Sequence, residues 1–193
     1  MDPRTLLDNL AIAERLKDVT RHCYTSQGRH ESVAEHCWMM TMMAFLMKEE
    51  FLEADMDKVI RMCIIHDMGE AFTGDIPSFL KTDADEEREE NLLMEWVASL
   101  PEEKAREMAQ LYQEMAERKT LEARIYKCID GLEAVIQHNR SPIDTWLPNE
   151  YELNQTYARD RVGFSAYLTA LRQEMLKDTQ KKIEEENNGR VAK

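Results

Sequence analysis

Residues 60–72 run I-R-M-C-I-I-H-D-M-G-E-A-F, and the fold class follows from this stretch. Apolar side chains recur on almost every side at helical spacing, which is the pattern of a buried helix. Yet the middle of the stretch carries His66 and Asp67, and Glu70 follows one turn later. On a helix His66 and Glu70 are i, i+4 neighbours and Asp67 and Glu70 are i, i+3, so one turn presents two ligand-type groups and a further acid. A buried charge is neutralised, paired or bound to a metal, because leaving it alone is costly.

Two more segments share this contradiction. Upstream, Ser32 and Glu35 form the S-x-x-E pattern of a capping box, which starts a helix through V-A-E-H-C-W-M-M-T-M-M-A-F-L-M. That helix is apolar on nearly every side from Val33 to Met47 and contains His36. Downstream, Thr120 caps a helix running to about His138, with an apolar stripe of Leu121, Ile125, Cys128, Ile129, Leu132, Val135 and Ile136. Asp130 lies roughly opposite that stripe, between Ala123 and Ala134. These three helices offer few cations, namely Arg61, Arg124 and Lys127. A divalent metal held by two imidazoles and two carboxylates is the economical way to balance the acids.

The rest of the chain reads as helices joined by short loops. Leu6, Leu10, Ala13 and Leu16 mark a first helix, and a polar loop is expected from about Arg21 to Glu31. Asp55 or Asp57 opens the helix through residues 60–72, and Gly74 and Pro77 punctuate the loop after it. D-A-D-E-E-R-E-E leads into another helix, Pro101 opens a further one, and the charged tail after Lys177 is expected to fray. The expectation is one all-α domain over residues 1–177, a helical bundle around a buried mononuclear metal site, followed by a charged tail over 178–193.

Composition narrows the function classes. Only six Gly and five Pro in 193 residues disfavour an all-β sandwich. A net charge of −13 repels a polyphosphate chain, so a nucleic-acid polymer is not an expected partner, although a small phosphorylated ligand is compatible with it. No apolar run is long enough to span a bilayer, and the first residues lack a signal-peptide pattern. The four cysteines show no C-x-x-C spacing, so reduced thiols in the cytoplasm are the expected state.

His36, the adjacent pair His66-Asp67 and the distant Asp130 together resemble the H…HD…D signature of the HD-domain superfamily of phosphohydrolases. E-S-V-A-E-H before the first ligand, H-D-M-G-E followed by T-G-D-I-P, and Y-K-C-I-D around the last Asp are similar to the HD-domain 5′-deoxynucleotidases, over roughly residues 4–140. The resemblance implies one divalent cation (Mn, Co, Ni, Fe, Zn or Mg) on His36, His66, Asp67 and Asp130. It implies catalytic roles for Glu70 and Asp75, and a phosphate contact for Arg21 in L-K-D-V-T-R-H. Bacterial members carry a Trp after that Arg that helps exclude a ribose 2′-hydroxyl, whereas this chain has His22, so the sugar preference stays open. Arg29 and Lys81 are further cations that could reach a phosphate. No His lies between Asp67 and Asp130, where two-metal relatives place extra ligands, and this favours one metal and hydrolysis.

The expected activity is hydrolysis of (deoxy)nucleoside 5′-monophosphates to nucleoside and phosphate, by a homodimer, since relatives commonly pair. Two alternatives stay open at this level. One is a metal-bound nucleotide sensor without catalysis. The other is an HD hydrolase of another phosphorylated metabolite, such as an alarmone.

Overall fold

In a computed structural model, which describes residues 1–77 and 79–191, the chain is overwhelmingly helical. Asp2 caps α1 (Pro3–Ala13) by accepting hydrogen bonds from the amides of Arg4 and Thr5, and Pro3 occupies the first turn, where its missing N–H costs nothing. A 3₁₀ turn over Glu14–Lys17 follows. The expected polar loop is instead a two-stranded hairpin, β1 (Thr20–Tyr24) and β2 (His30–Ser32). Its strands are too short and polar to show an alternating pattern. Gly28, at φ +80°, supplies the left-handed turn residue.

The expected capping box is present at α2 (Val33–Leu46): the Ser32 side chain accepts from the Glu35 amide, and Glu35 accepts from the Ser32 amide at 2.9 Å. Asp55 caps α3 (Met56–Ile65) through the Lys58 amide. Here the sequence expectation of one helix through residue 72 is corrected. Regular helix ends at Ile65, and α4 (Glu70–Thr73) is a separate short turn. Between them the amides of Met68, Glu70, Ala71 and Phe72 bond three residues back, to Ile65, Asp67, Met68 and Gly69, so the backbone tightens without losing its direction. One reason is visible at Ile65, whose carbonyl also accepts the Tyr112 hydroxyl at 2.6 Å.

A second capping box, Thr82 with Asp85, starts α5 (Asp83–Ser99). Then come α6 (Glu102–Glu117), ended by Arg118 in the left-handed region, and α7 (Leu121–Arg140), where the Thr120 hydroxyl accepts from the Ala123 amide. The chain ends in α8 (Glu150–Thr156) and α9 (Ala166–Val191). The tail expected to fray is therefore helical as far as Val191. Thr179 is fully buried and donates to Asn139 at 2.9 Å, and Arg172 is buried with bonds to the carbonyls of Asn154 and Tyr157, so two fixed points hold this helix past its apolar part.

The chain divides into two compact units. The first comprises Met1–His22 and Glu31–Tyr126. Its core joins Leu16, Val33, Cys37, Met68, Ala71, Leu93 and Val97, with α2 packed on α3 and α4 on α5. Each Leu, Val or Met among them contributes roughly 1.5–3 kcal/mol when fully buried. The second comprises Cys23–His30 and the chain from Lys127. There Cys128, Ile129, Leu132, Val135, Val162 and Leu168 are buried, and Gly131 has no room for a Cβ, which would lie 2.9 Å from that of Ala158.

α2 is not buried all round, contrary to its composition. Val33, His36, Cys37, Met40 and Ala44 face inward, while Trp38, Phe45 and Leu46 are about 60% exposed or more. With Leu6, Leu10 and Ile64 of the same unit, Trp38 lines an apolar groove of about 540 Å³.

Candidate metal centre

The first turn and a half of α2, fixed by its capping box, places His36 at the centre of the first unit, where its side chain is 1% exposed. α3 ends at His66, whose ring is 2% exposed. One ring nitrogen of His66, Nδ1, lies 3.0 Å from the Cys63 carbonyl, which suits an Nδ1–H donor and leaves Nε2 as the lone-pair face. Nε2 has no hydrogen-bond partner among the described residues although it is buried. It lies only 2.9 Å from Asp67 Oδ2, yet the two atoms do not meet in hydrogen-bonding geometry. His36 Nε2 lies 3.8 Å from the same oxygen, and the donor atoms of His36, His66 and Asp67 all lie within 4.8 Å of one another. Ligands of one cation, each about 2.0–2.2 Å from it, stand roughly 3–4 Å apart. Two imidazoles and a carboxylate aimed at one point, one of them with an orphaned ring nitrogen, fit a divalent cation, which would take the place of a proton on His66.

The surroundings are tuned by burial. Burial disfavours the charged form of His66, but the neighbouring Asp67 carboxylate and Cys37 sulfur outweigh it and raise the pKa well above the ordinary imidazole value. Glu70 opens α4 and is 6% exposed, and its Oε2 is buried without a hydrogen-bond partner. Burial, reinforced by the negative charges of Asp67, Asp75 and Glu89, pushes its pKa up to about 10. Asp75 follows Gly74, whose φ of +79° turns the chain sharply out of α4. Burial raises the Asp75 pKa, while the charge of Arg21 opposes the rise. Asp75 is thus within electrostatic reach of both Arg21 and Asp67.

Arg21 and His22 lie on β1. Arg21 is 13% exposed and its Nη1 donates to Glu31 Oε2 at 2.9 Å, so the guanidinium is held by a buried acid. His22 packs edge-on against Phe79, with ring centroids 5.5 Å apart. Arg29 is exposed and donates to the His30 carbonyl. Lys81 is bonded to Glu89 at 2.8 Å. Asp130 lies on α7 in the second unit, where Lys127 Nζ is 2.6 Å from its Oδ2. A cation that the sequence argument counted as scarce therefore does serve this acid, at i, i+3 on the same helix.

The structure thus gathers His36, His66, Asp67, Glu70, Asp75, Arg21 and His22 within the first unit. Sequence reasoning missed Glu31 behind Arg21, Tyr112 behind Ile65, and Glu89 beside Gly69. Each acts across elements distant in sequence, and no local pattern marks such a partner.

The HD-domain family model matches residues 13–172. The 5′-deoxynucleotidase HDDC2 of Bos taurus is 32% identical over 138 residues, which cover 69% of this chain and 66% of that protein, just short of two thirds of its length. The human protein of the same name is also 32% identical, with 69% and 67% covered. Among solved structures, a predicted metal-dependent phosphohydrolase from Magnetospirillum magnetotacticum MS-1 superposes with a TM-score of 0.79 at 26% identity, covering 93% of this chain and 95% of that one. A cyanophage S-2L HD phosphohydrolase shares the fold at a TM-score of 0.57 and 19% identity, over 91% of this chain and 96% of that one. With the family's model matched over residues 13–172, most of its length, the chain belongs to the HD-domain family.

Proposed function

We propose that the protein is a metal-dependent phosphohydrolase that converts (deoxy)nucleoside 5′-monophosphates to nucleoside and phosphate. The observation that carries this is the convergence of His36 Nε2, the orphaned His66 Nε2 and Asp67 Oδ2 beside the buried Glu70. Support for the substrate class comes from the HDDC2 relatives, which are named 5′-deoxynucleotidases.

His36, His66, Asp67 and Asp130 would hold one divalent cation of the Mn, Co, Ni, Fe, Zn or Mg group. Bound there, it would supply a water of lowered pKa and would offset the carboxylate charges that add to burial in raising the Glu70 pKa. Glu70 then orients the attacking water and takes its proton. Arg21, presented rigidly by Glu31, binds the non-bridging phosphate oxygens with its planar fork. Asp75 has a raised pKa and holds a proton more readily than an ordinary Asp, which suits it to protonate the leaving 5′-oxygen. His22, braced by Phe79, lines the sugar side of the pocket.

Two further readings belong here. The four cysteines are buried and form no disulfide with one another, which agrees with a reducing cytoplasm. The exposed apolar groove of Leu6, Leu10, Trp38 and Ile64 is the face on which we place a homodimer contact.

The test is phosphate release from a panel of nucleoside 5′-monophosphates by metal-stripped protein reloaded with Mn, Co or Zn. The expected result is metal-dependent orthophosphate release that is lost in Glu70→Gln. Metal binding without release from any monophosphate would refute the activity, and pyrophosphate as product would move the enzyme to a different substrate class.

A further inference from the structure

Glu89 sits on α5, yet its side chain lies over the turn that begins α4. A Cβ built on Gly69 would come 2.6 Å from Glu89 Cγ and 3.2 Å from its Oε1. Gly69 has an ordinary helical φ of −59°, so its own conformation does not call for glycine; the close passage of Glu89 does. Because Cγ is near the root of the side chain, a methyl group at position 69 has to displace the whole carboxylate.

That carboxylate reaches two residues. Its Oε2 accepts from Lys81 Nζ at 2.8 Å and from Thr73 Oγ1 at 3.3 Å. Thr73 is the last residue of α4 and directly precedes Gly74 and Asp75, and Lys81 lies beyond Asp75 on the far side of the same connection. The Lys81–Glu89 pair is only 18% exposed on each side, so solvent screens it weakly. Glu70, at the start of α4, is separated from Gly69 by a single peptide bond.

We infer that Glu89 is a positioning residue: passing over the bare Cα of Gly69, it ties Thr73 and Lys81 together and so fixes Asp75 relative to Glu70. This rests on the roles given to Asp75 and Glu70 under the proposed function. It accounts for three features at once: the glycine at 69, an acid one turn before Leu93 on the covered face of α5, and a lysine directed at that acid. Displacing a catalytic group by about 1 Å costs on the order of a hundredfold in rate, so the tie bears on turnover more than on substrate affinity.

The experiment compares Glu89→Ala, Glu89→Gln, Gly69→Ala and the double variant Gly69→Ala/Glu89→Ala, all metal-loaded. Glu89→Ala and Gly69→Ala are each expected to lower kcat by about 10–100-fold, with KM and bound metal within about twofold of wild type. The Gln variant keeps an oxygen acceptor for Lys81 and Thr73 and is expected to recover most of kcat. The double variant is expected to be no worse than Glu89→Ala, because the three atoms nearest the methyl group all belong to the Glu89 side chain beyond its Cβ. Losses that multiply in the double variant, or a Glu89→Ala kcat within about twofold of wild type, overturn the inference. Hydrogen exchange at the Gly74 amide, bonded to the Glu70 carbonyl at 2.8 Å, reads the same tie without substrate. It is expected to quicken in Glu89→Ala and not in Glu89→Gln, and unchanged exchange in Glu89→Ala overturns the inference. If wild type releases no phosphate from any monophosphate, the proposed function fails, and the exchange result alone decides the tie.

Discussion

Replacing Glu70 with Gln should stabilise the metal-free protein while destroying turnover, and pH should reveal why. Glu70 is buried, its Oε2 bonds to nothing among the described residues, and its pKa is raised from 4.5 to about 10. Between those two pH values the native chain keeps a proton that the unfolded chain has lost. The unfolded state therefore binds fewer protons, and stability falls as pH rises, by up to ~1.4 kcal/mol per unit from this one group. At pH 7 the accumulated cost is about 3 kcal/mol. Gln has no charge to suppress, though its buried amide forfeits about 1 kcal/mol for an unmade hydrogen bond. The net gain at pH 7 is about 2 kcal/mol, or roughly 4–8 °C in Tm for a chain of this size. The assay is thermal unfolding of both proteins in excess chelator at pH 5, 7 and 9. The Gln variant should gain almost nothing at pH 5, a few degrees at pH 7 and more at pH 9. An advantage that does not grow with pH, or a Gln variant less stable at every pH, would show that Glu70 does not carry this cost.

Two other outcomes follow from contacts outside the cluster itself. Tyr112→Phe removes the hydroxyl that bonds the Ile65 carbonyl at 2.6 Å; it should cost about 1 kcal/mol in urea unfolding and, because Ile65 precedes His66, weaken cobalt binding by calorimetry. Arg21→Ala should raise KM for a nucleoside 5′-monophosphate by about 10–100-fold, the value of a charge-assisted hydrogen bond, while leaving bound metal unchanged; an unaltered KM would remove Arg21 from the phosphate site.

The candidate-site residues are legible because their chemistry conflicts with their surroundings. His36 and His66-Asp67 are ionisable groups inside apolar helical pattern, and the ordered motif around them also supplied Glu70 and Asp75. Helix starts at Ser32, Asp55 and Thr120 were legible because capping is local. The break after Ile65 was not, since the tightened turn through His66 keeps helical direction and its cause includes Tyr112, which is 47 residues away. The hairpin over Thr20–Ser32 was hidden by strands too short to alternate. The outward face of α2 was misread because composition reports how apolar a helix is and not how much protein covers it. Lys127 beside Asp130 shows the weakness of counting cations when one lies a single turn away.

On the proposed function, one divalent cation held at the His36–His66–Asp67 point enables phosphate release. The most direct measurement titrates cobalt into metal-stripped protein while following both bound metal and orthophosphate release from a nucleoside 5′-monophosphate. Activity should rise linearly and saturate at one equivalent per chain, and His66→Ala should neither bind tightly nor turn over. Full activity in the stripped protein, saturation at two equivalents, or tight binding that survives His66→Ala would contradict it.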